Sequence, residues 1–287
     1  MDIIKQLLEQ YKLELDAEVS RAKQWSVTFQ DDINKKVQFY QQHLNNLQPL
    51  IETKKGEMMN LLLDQSPTEQ LDVAKLMATF IWTGVLLLTT TIGGVLGGTI
   101  LKSILSLFVS GFYAFLAAYM LLPAMAWYYL QQPADNDRSR RHALLAFSLL
   151  EGLATGFVLS ERALTGPPPL AAITPLVIGF GAQMGASFIA IDRKKLLGVT
   201  LGGGLLIHLS LGVIVGVSLP YLLLSLLYTA IGFVAIQHYI KHVKKETAFT
   251  HEYQLSFVLA VLMSQALIYF IFGGDPNEMA ARSADTS

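Results

Sequence analysis

The stretch LMATFIWTGVLLLTTTIGGVL, residues 76–96, contains no charged side chain over a length that can cross a bilayer. A hydrocarbon core of about 30 Å takes roughly 20 helical residues. Comparable apolar runs follow at about 104–130, 142–160, 170–191, 196–217, 221–240 and 254–272. The whole chain agrees with them, being 52% hydrophobic and only 15% charged, with a positive mean hydropathy unlike that of a soluble domain of this size. The expected fold is therefore all-α: a polytopic seven-helix transmembrane bundle over residues 66–274. A cytosolic, coiled-coil-like helical segment over 1–65 precedes it, and a short polar tail over 275–287 follows.

Several function classes drop out at once. A net charge of −1 supplies no basic field for nucleic acid,. The absence of cysteine removes thiolate metal sites and cysteine nucleophiles,. No phosphate-cradling glycine loop, nucleophile elbow or His-Glu-x-x-His pair occurs, so neither an enzyme nor a cofactor nor a bound metal is expected. The opening MDIIKQLLEQYKLELD lacks the apolar core of a signal peptide,, which leaves targeting to the first membrane helix.

Ahead of that helix, Met1 to Gln48 holds neither Gly nor Pro, and a long helix is permitted. Ile33, Val37, Tyr40, Leu44, Leu47 and Ile51 alternate in four-three spacing, the pattern of a helix that buries one stripe. Two readings stay open: an amphipathic helix or hairpin packed on itself, and a coiled-coil contact with a protein partner or a second copy of the chain. Ser66-Pro67-Thr68-Glu69 then reads as a capping box that starts the first span, with Ser66 as N-cap,.

Lysine and arginine alternate between loops. Arg138, Arg140, Arg141, Arg193, Lys194, Lys195, Lys241, Lys244 and Lys245 fall on one side, against Lys102, Arg162 and Arg282 on the other. The first group is expected in the cytosol together with the N-terminus, and the tail outside or in a lumen. Glycine pairs four apart, Gly93/Gly97, Gly152/Gly156, Gly181/Gly185 and Gly198/Gly202, read as places where helix backbones approach closely.

Polar groups inside the spans are few. Glu151 is the one acid placed mid-span, between Leu150 and Leu153, and His208 falls at a similar depth in the fifth run. Gln183, Gln265, Ser264 and Thr89 to Thr91 also fall near mid-membrane. A carboxyl there must face the bundle interior and find donors or a proton. Two readings stand side by side: neutral interhelical hydrogen bonding, and a layer of groups sensing protons or ions along a narrow pathway.

Arg140-Arg141-His142-Ala143-Leu144-Leu145, running into Leu150-Glu151-Gly152 and Gly156, resembles the third helix of the Bax inhibitor-1 family. The Pro-bearing loop Thr165 to Pro169, the basic turn Asp192 to Lys195, Leu201 to Gly203 and Leu227-Tyr228 extend the resemblance over residues 70–274. It implies six helices around a central seventh, an endoplasmic-reticulum membrane, protection from cell death and a pH-sensitive calcium leak gated by two aspartates. The sequence departs there. Gln237 fits the end of the sixth helix, but Ala235 stands where the first aspartate is expected, and no acid lies between Glu252 and Asp275. The function this implies is a Bax-inhibitor-like scaffold that regulates cell death and organelle ion homeostasis. The alternative is a calcium or cation leak in which Glu151, with His208, Gln183, Gln265 and Gln237, replaces the missing pair.

Overall fold

The computed structural model describes residues 35, 49, 51–66, 71–132, 137–185, 192–242 and 250–278. The chain divides into two units, Met1–Asn60 and Leu61–Ser287. In the first, residues 51–60 are helical and every one is exposed, Ile51, Met58 and Met59 among them. Thr53 donates to the Pro49 carbonyl, and Lys54 pairs with Glu57 at 2.8 Å. The heptad positions Ile33, Val37, Tyr40, Leu44 and Leu47 lie outside the described residues.

Among the described residues, the regular elements of the second unit are all helices, apart from one isolated antiparallel bridge between Ala163 and Gly274. Its first long helix, α1, spans Val73–Val95 and continues as a π-helical turn over Leu96–Ile100. It does not start at Ser66. The Ser66 amide and hydroxyl both donate to Asp64 Oδ1, which commits Ser66 to a turn, and Asp72 is the N-cap instead, accepting from the Lys75 amide at 3.0 Å. Pro67 to Gln70 are outside the described residues. Thr79, Thr83, Thr89, Thr90 and Thr91 each donate a hydroxyl to the carbonyl four residues back. Such back-bonding satisfies a polar group where water is absent.

The second expected run is broken. Helix α2 covers Lys102–Phe108 with no buried residue, Val109 and Ser110 are extended, and α3 resumes at Gly111 and reaches Gln131. Ser110-Gly111 interrupts the run because glycine costs about 1 kcal/mol in a helix interior and serine competes for backbone bonds. Helices α4 (Asp137–Leu159), α6 (Arg193–Val215), α7 (Leu219–His242) and α8 (Thr250–Phe272) are each long and apolar enough to span. The fourth expected run yields α5, Ile173–Met184, only 12 residues long. Its start is held back by the Pro167-Pro168-Pro169 segment, and Gly185 closes its end on the Gly181 carbonyl. Among the described residues, six helices have the length of a span.

Packing follows the glycines, in part. A Cβ on Gly93 or Gly97 would overlap the carbonyls of Leu149 and Leu153, and one on Gly152 or Gly156 would overlap those of Thr90 and Gly94. Helices α1 and α4 therefore touch backbone to backbone through two reciprocal glycine pairs. Gly198 and Gly202 are different: among the described residues nothing lies within 4 Å of a Cβ at either. Helix α5 takes the inner position, with Leu176 against Gly84, Gly179 against Ile81, and Thr174 and Ile178 against Gly232 of α7. Ala172 and Ile178 are fully buried. The last helix is not the central one, because α8 turns Met263, Leu267, Phe270 and Ile271 outward, each more than half exposed.

One end of this unit gathers the N-termini of α1, α4, α6 and α8 with the C-terminus of α7. Gln254 of α8 donates to the Thr79 carbonyl, and His251 lies 2.7 Å from Asp137 of α4. At the opposite end, Arg162 donates to the Phe270 carbonyl at 2.8 Å, and Lys102 pairs with Glu161. The basic residues Arg138, Arg140, Arg141, Arg193, Lys194, Lys195 and Lys241 lie at or next to the first end, as their alternation between loops implied.

Candidate functional site

The most connected polar cluster sits at that first end, where the chain enters the bundle. Asp192 caps α6 by accepting from the amides of Lys194 and Lys195, which places Arg193 in the first turn with its side chain directed inward and only 3% of the residue exposed. Its Nη1 donates to Asp64 Oδ2 at 2.8 Å and its Nε to Gln237 Oε1 at 2.6 Å. Gln237 in turn donates through Nε2 to the Leu62 carbonyl at 3.0 Å. One clasp thus ties residues 61–66 to both α6 and α7, and Leu61 beside it is buried. The Ser66 amide and hydroxyl, and after them the Arg193 guanidinium, hold the Asp64 carboxyl below its usual range although partial burial works the other way,. Arg193 Nη2 is buried and without a partner among the described residues.

Gln237 had been singled out as an ion- or proton-sensing group. Its amide is instead spent on Arg193 and on backbone. The other members of the expected polar layer do not converge either. Glu151 is fully buried in α4, and neither carboxyl oxygen has a hydrogen-bond partner among the described residues. His208 is fully buried in α6, where Nε2 meets the Thr174 hydroxyl at 3.0 Å, its carbonyl accepts from the Tyr221 hydroxyl, and its ring lies 6.0 Å from that of Tyr228. None of those partners is on the helix of Glu151. Gln265 donates to the Tyr228 hydroxyl at 2.9 Å, and Gln183 is exposed on α5. The polar groups therefore form two separate sets: α5, α6, α7 and α8 are stitched through His208, Tyr228 and Gln265, while Glu151 stands apart. Hydrogen bonds that join helices account for the first set.

The sequence reading missed the clasp. Asp64 and Arg193 are far apart in the chain, and the available signal was weak: an arginine just inside the start of a long apolar helix, with an acid at the end of the preceding segment.

No match was found among curated proteins or solved structures. The resemblance to the Bax inhibitor-1 family is overturned by the family model that does match, because that model covers nearly the whole chain and belongs to a different family. The Bax-inhibitor-like regulation of cell death, the calcium release and the ion leak inferred from the resemblance fall with it, and the endoplasmic-reticulum membrane rested on the same resemblance alone. The matching model is that of the Interactor of ZYG-11, it takes in residues 2–275 across both units, and the chain belongs to that family.

Proposed function

We propose that this protein is a non-catalytic, membrane-embedded interaction protein that engages a ZYG-11 protein through its N-terminal segment. The observation that carries the reading is the extent of the family match, which includes the N-terminal unit as well as the helical bundle. Two features support the choice of docking element. Ile33, Val37, Tyr40, Leu44, Leu47 and Ile51 form a heptad stripe in the sequence, and a stripe of that kind needs a second apolar surface. Further along, residues 51–60 are exposed with Ile51, Met58 and Met59 outward.

The test is co-purification of the full chain with a ZYG-11 protein, comparing wild type with the double substitution Leu44→Asp, Leu47→Asp. Capture should fall at least tenfold, while the thermal transition of the bundle in detergent stays where it was. Wild-type capture by the double variant would remove the docking role from this segment. If the variant instead loses a dimer seen by crosslinking of the wild type, the stripe serves self-association.

In this reading the bundle crosses the bilayer seven times, with α5 as the short crossing. Support comes from the two ends of the intervening chain: Ala163 pairs with Gly274 at one end of the bundle, and Arg193 meets Asp64 at the other. At 1.5 Å per residue α5 covers only about 18 Å. The described backbone just before it, at Ala171 and Ala172, is non-helical and buried, a form that survives at membrane depth where protein surrounds it. The basic end is assigned to the cytosol. Tags beside Ser139 and Lys244 should react with an impermeant reagent from the cytosolic face, and a tag after Asp275 should not. Labelling of Ser139 and Asp275 from the same face would break the odd count.

A further inference from the structure

A cavity of about 370 Å³ opens between α1, α4 and α8 in the half of the bundle that ends at Arg162. That volume lies within the range of small-molecule pockets, roughly 300–1,000 Å³. Its shape is a slot along the bundle axis, because the α1 residues that line it run from Leu87 to Thr99, roughly 18 Å apart at the α-helical rise. Gly94 helps create the space by removing a side chain from the α1 wall, where a Cβ would meet only the Gly152 carbonyl, at 3.8 Å, whereas Gly98 packs closely on the Gly156 carbonyl. The α1 wall also ends in the π-helical turn Leu96–Ile100, a distortion often found where a helix borders a functional site.

The walls are less polar than their residue names suggest. Thr90, Thr91 and Thr155 each spend their hydroxyl proton on a carbonyl of their own helix, leaving methyl groups and lone pairs at the surface. Gln265 spends an amide proton on Tyr228. The deep end is Leu87, Val261 and Leu262. Only at the rim is there a cation with donors to spare. Arg162 is exposed, its Nη1 caps α8 at the Phe270 carbonyl, and its Nε and Nη2 donate to no described residue. The neighbouring acid, Glu161, is already paired with Lys102 at 2.8 Å. Thr91, Val95 and Thr99, spaced four apart on α1, line the cavity and are themselves exposed, so the slot has a side mouth facing the space outside the bundle.

We propose that this cavity binds a single-chain anionic amphiphile, its acyl chain lying in the slot towards Leu87 and its carboxylate or phosphate head held by the Arg162 guanidinium. The geometry matches that of such a molecule in a leaflet, with the head at the aqueous rim and the chain directed to mid-membrane. A guanidinium offers an acidic oxygen pair two parallel donors, and the side mouth admits a chain from the surrounding lipid.

The test uses the full chain in nanodiscs of phosphatidylcholine and follows radiolabelled palmitate. Saturable binding is expected, with little competition by hexadecanol, which has the same chain and no charge. Gly94→Leu, which fills the slot, and Arg162→Gln should each weaken binding at least tenfold, and Arg162→Lys should restore part of it. Better competition by lysophosphatidylglycerol than by palmitate supports the site and assigns the head to phosphate. Should Gly94→Leu fail to fold, Thr91→Trp at the mouth is the second obstructing variant. Non-saturable uptake, equal competition by hexadecanol, or unchanged affinity in the obstructing variants overturns the proposal.

Discussion

Replacing Gly156 by leucine is expected to separate α1 from α4 and to cost more than about 3 kcal/mol, at or beyond the upper end of ordinary overpacking. A Cβ at this position lands on the Gly94 backbone, and the reciprocal contacts at Gly93, Gly97 and Gly152 are equally tight. Backbone cannot rotate away as a side chain can, so the only relief is to move a whole helix. In the bilayer proposed for this bundle, that movement forfeits packing that lipid replaces poorly, because helix association there depends on close van der Waals contact instead of hydrophobic exclusion. The internal control is Gly198→Leu. The same change is made in the same kind of helix, but among the described residues nothing lies within 4 Å of the new Cβ, and the effect should stay within about 0.5 kcal/mol once a propensity gain of up to about 1 kcal/mol is set aside. Thermal or denaturant unfolding of both variants in the same detergent reads the difference. If Gly156→Leu and Gly198→Leu unfold alike, the α1/α4 contact is not what the glycines are for.

That contrast also marks how far the sequence could be read. Bilayer thickness sets a length for any spanning helix, so six of the long runs were visible from composition alone, and the alternation of arginine and lysine ordered their ends. Nothing in the apolar run at 170–191 announced that its helix would shrink to Ile173–Met184. Ala171, Ala172 and Gly185 beside it are buried among neighbours from other parts of the chain, and a residue window cannot see shelter. The glycine spacing was legible as a motif but not as a contact, since Gly152/Gly156 and Gly198/Gly202 look the same on paper and differ only in what stands opposite. The same limit explains the family resemblance. A leucine-rich helix with Glu151-Gly152 and Gly156 is what close packing of α4 on α1 requires, so the match recorded a packing solution open to many membrane helices. Gln237 was noticed for the wrong reason, because its partners Arg193 and Leu62 are brought to it only by the fold.

Changing Asp64 to leucine should destabilise the bundle by about 2–4 kcal/mol and free the segment that leads into it. Arg193 is 2% exposed at its side chain and Asp64 34%, so the substitution strands a buried guanidinium whose remaining side-chain acceptors among the described residues are Gln237 Oε1 and, at 3.5 Å, Ser66 Oγ. Removing one partner of a buried ion pair typically costs about 3–5 kcal/mol, and the partial exposure of Asp64 places this site towards the lower part of that range. The companion variant Asp64→Leu with Arg193→Met removes both charges, and it should recover much of the loss because no charge is then left without a counterpart. The pH dependence follows from the lowered pKa of Asp64, held down first by the Ser66 amide and hydroxyl and then by Arg193. A carboxyl whose folded-state value lies below its unfolded value contributes stability above the unfolded value and loses it as pH falls through the folded one. The clasp should therefore be indifferent to pH between about 7 and 5 and weaken only below the ordinary carboxylate range near 4. In Asp64→Asn that acid limb should flatten. Unfolding of the three variants against pH, with proteolytic cleavage within residues 61–66 scored in parallel, measures both parts. Wild-type stability in Asp64→Leu, or an unaltered acid limb in Asp64→Asn, would show that the contact between Asp64 and Arg193 holds nothing in place.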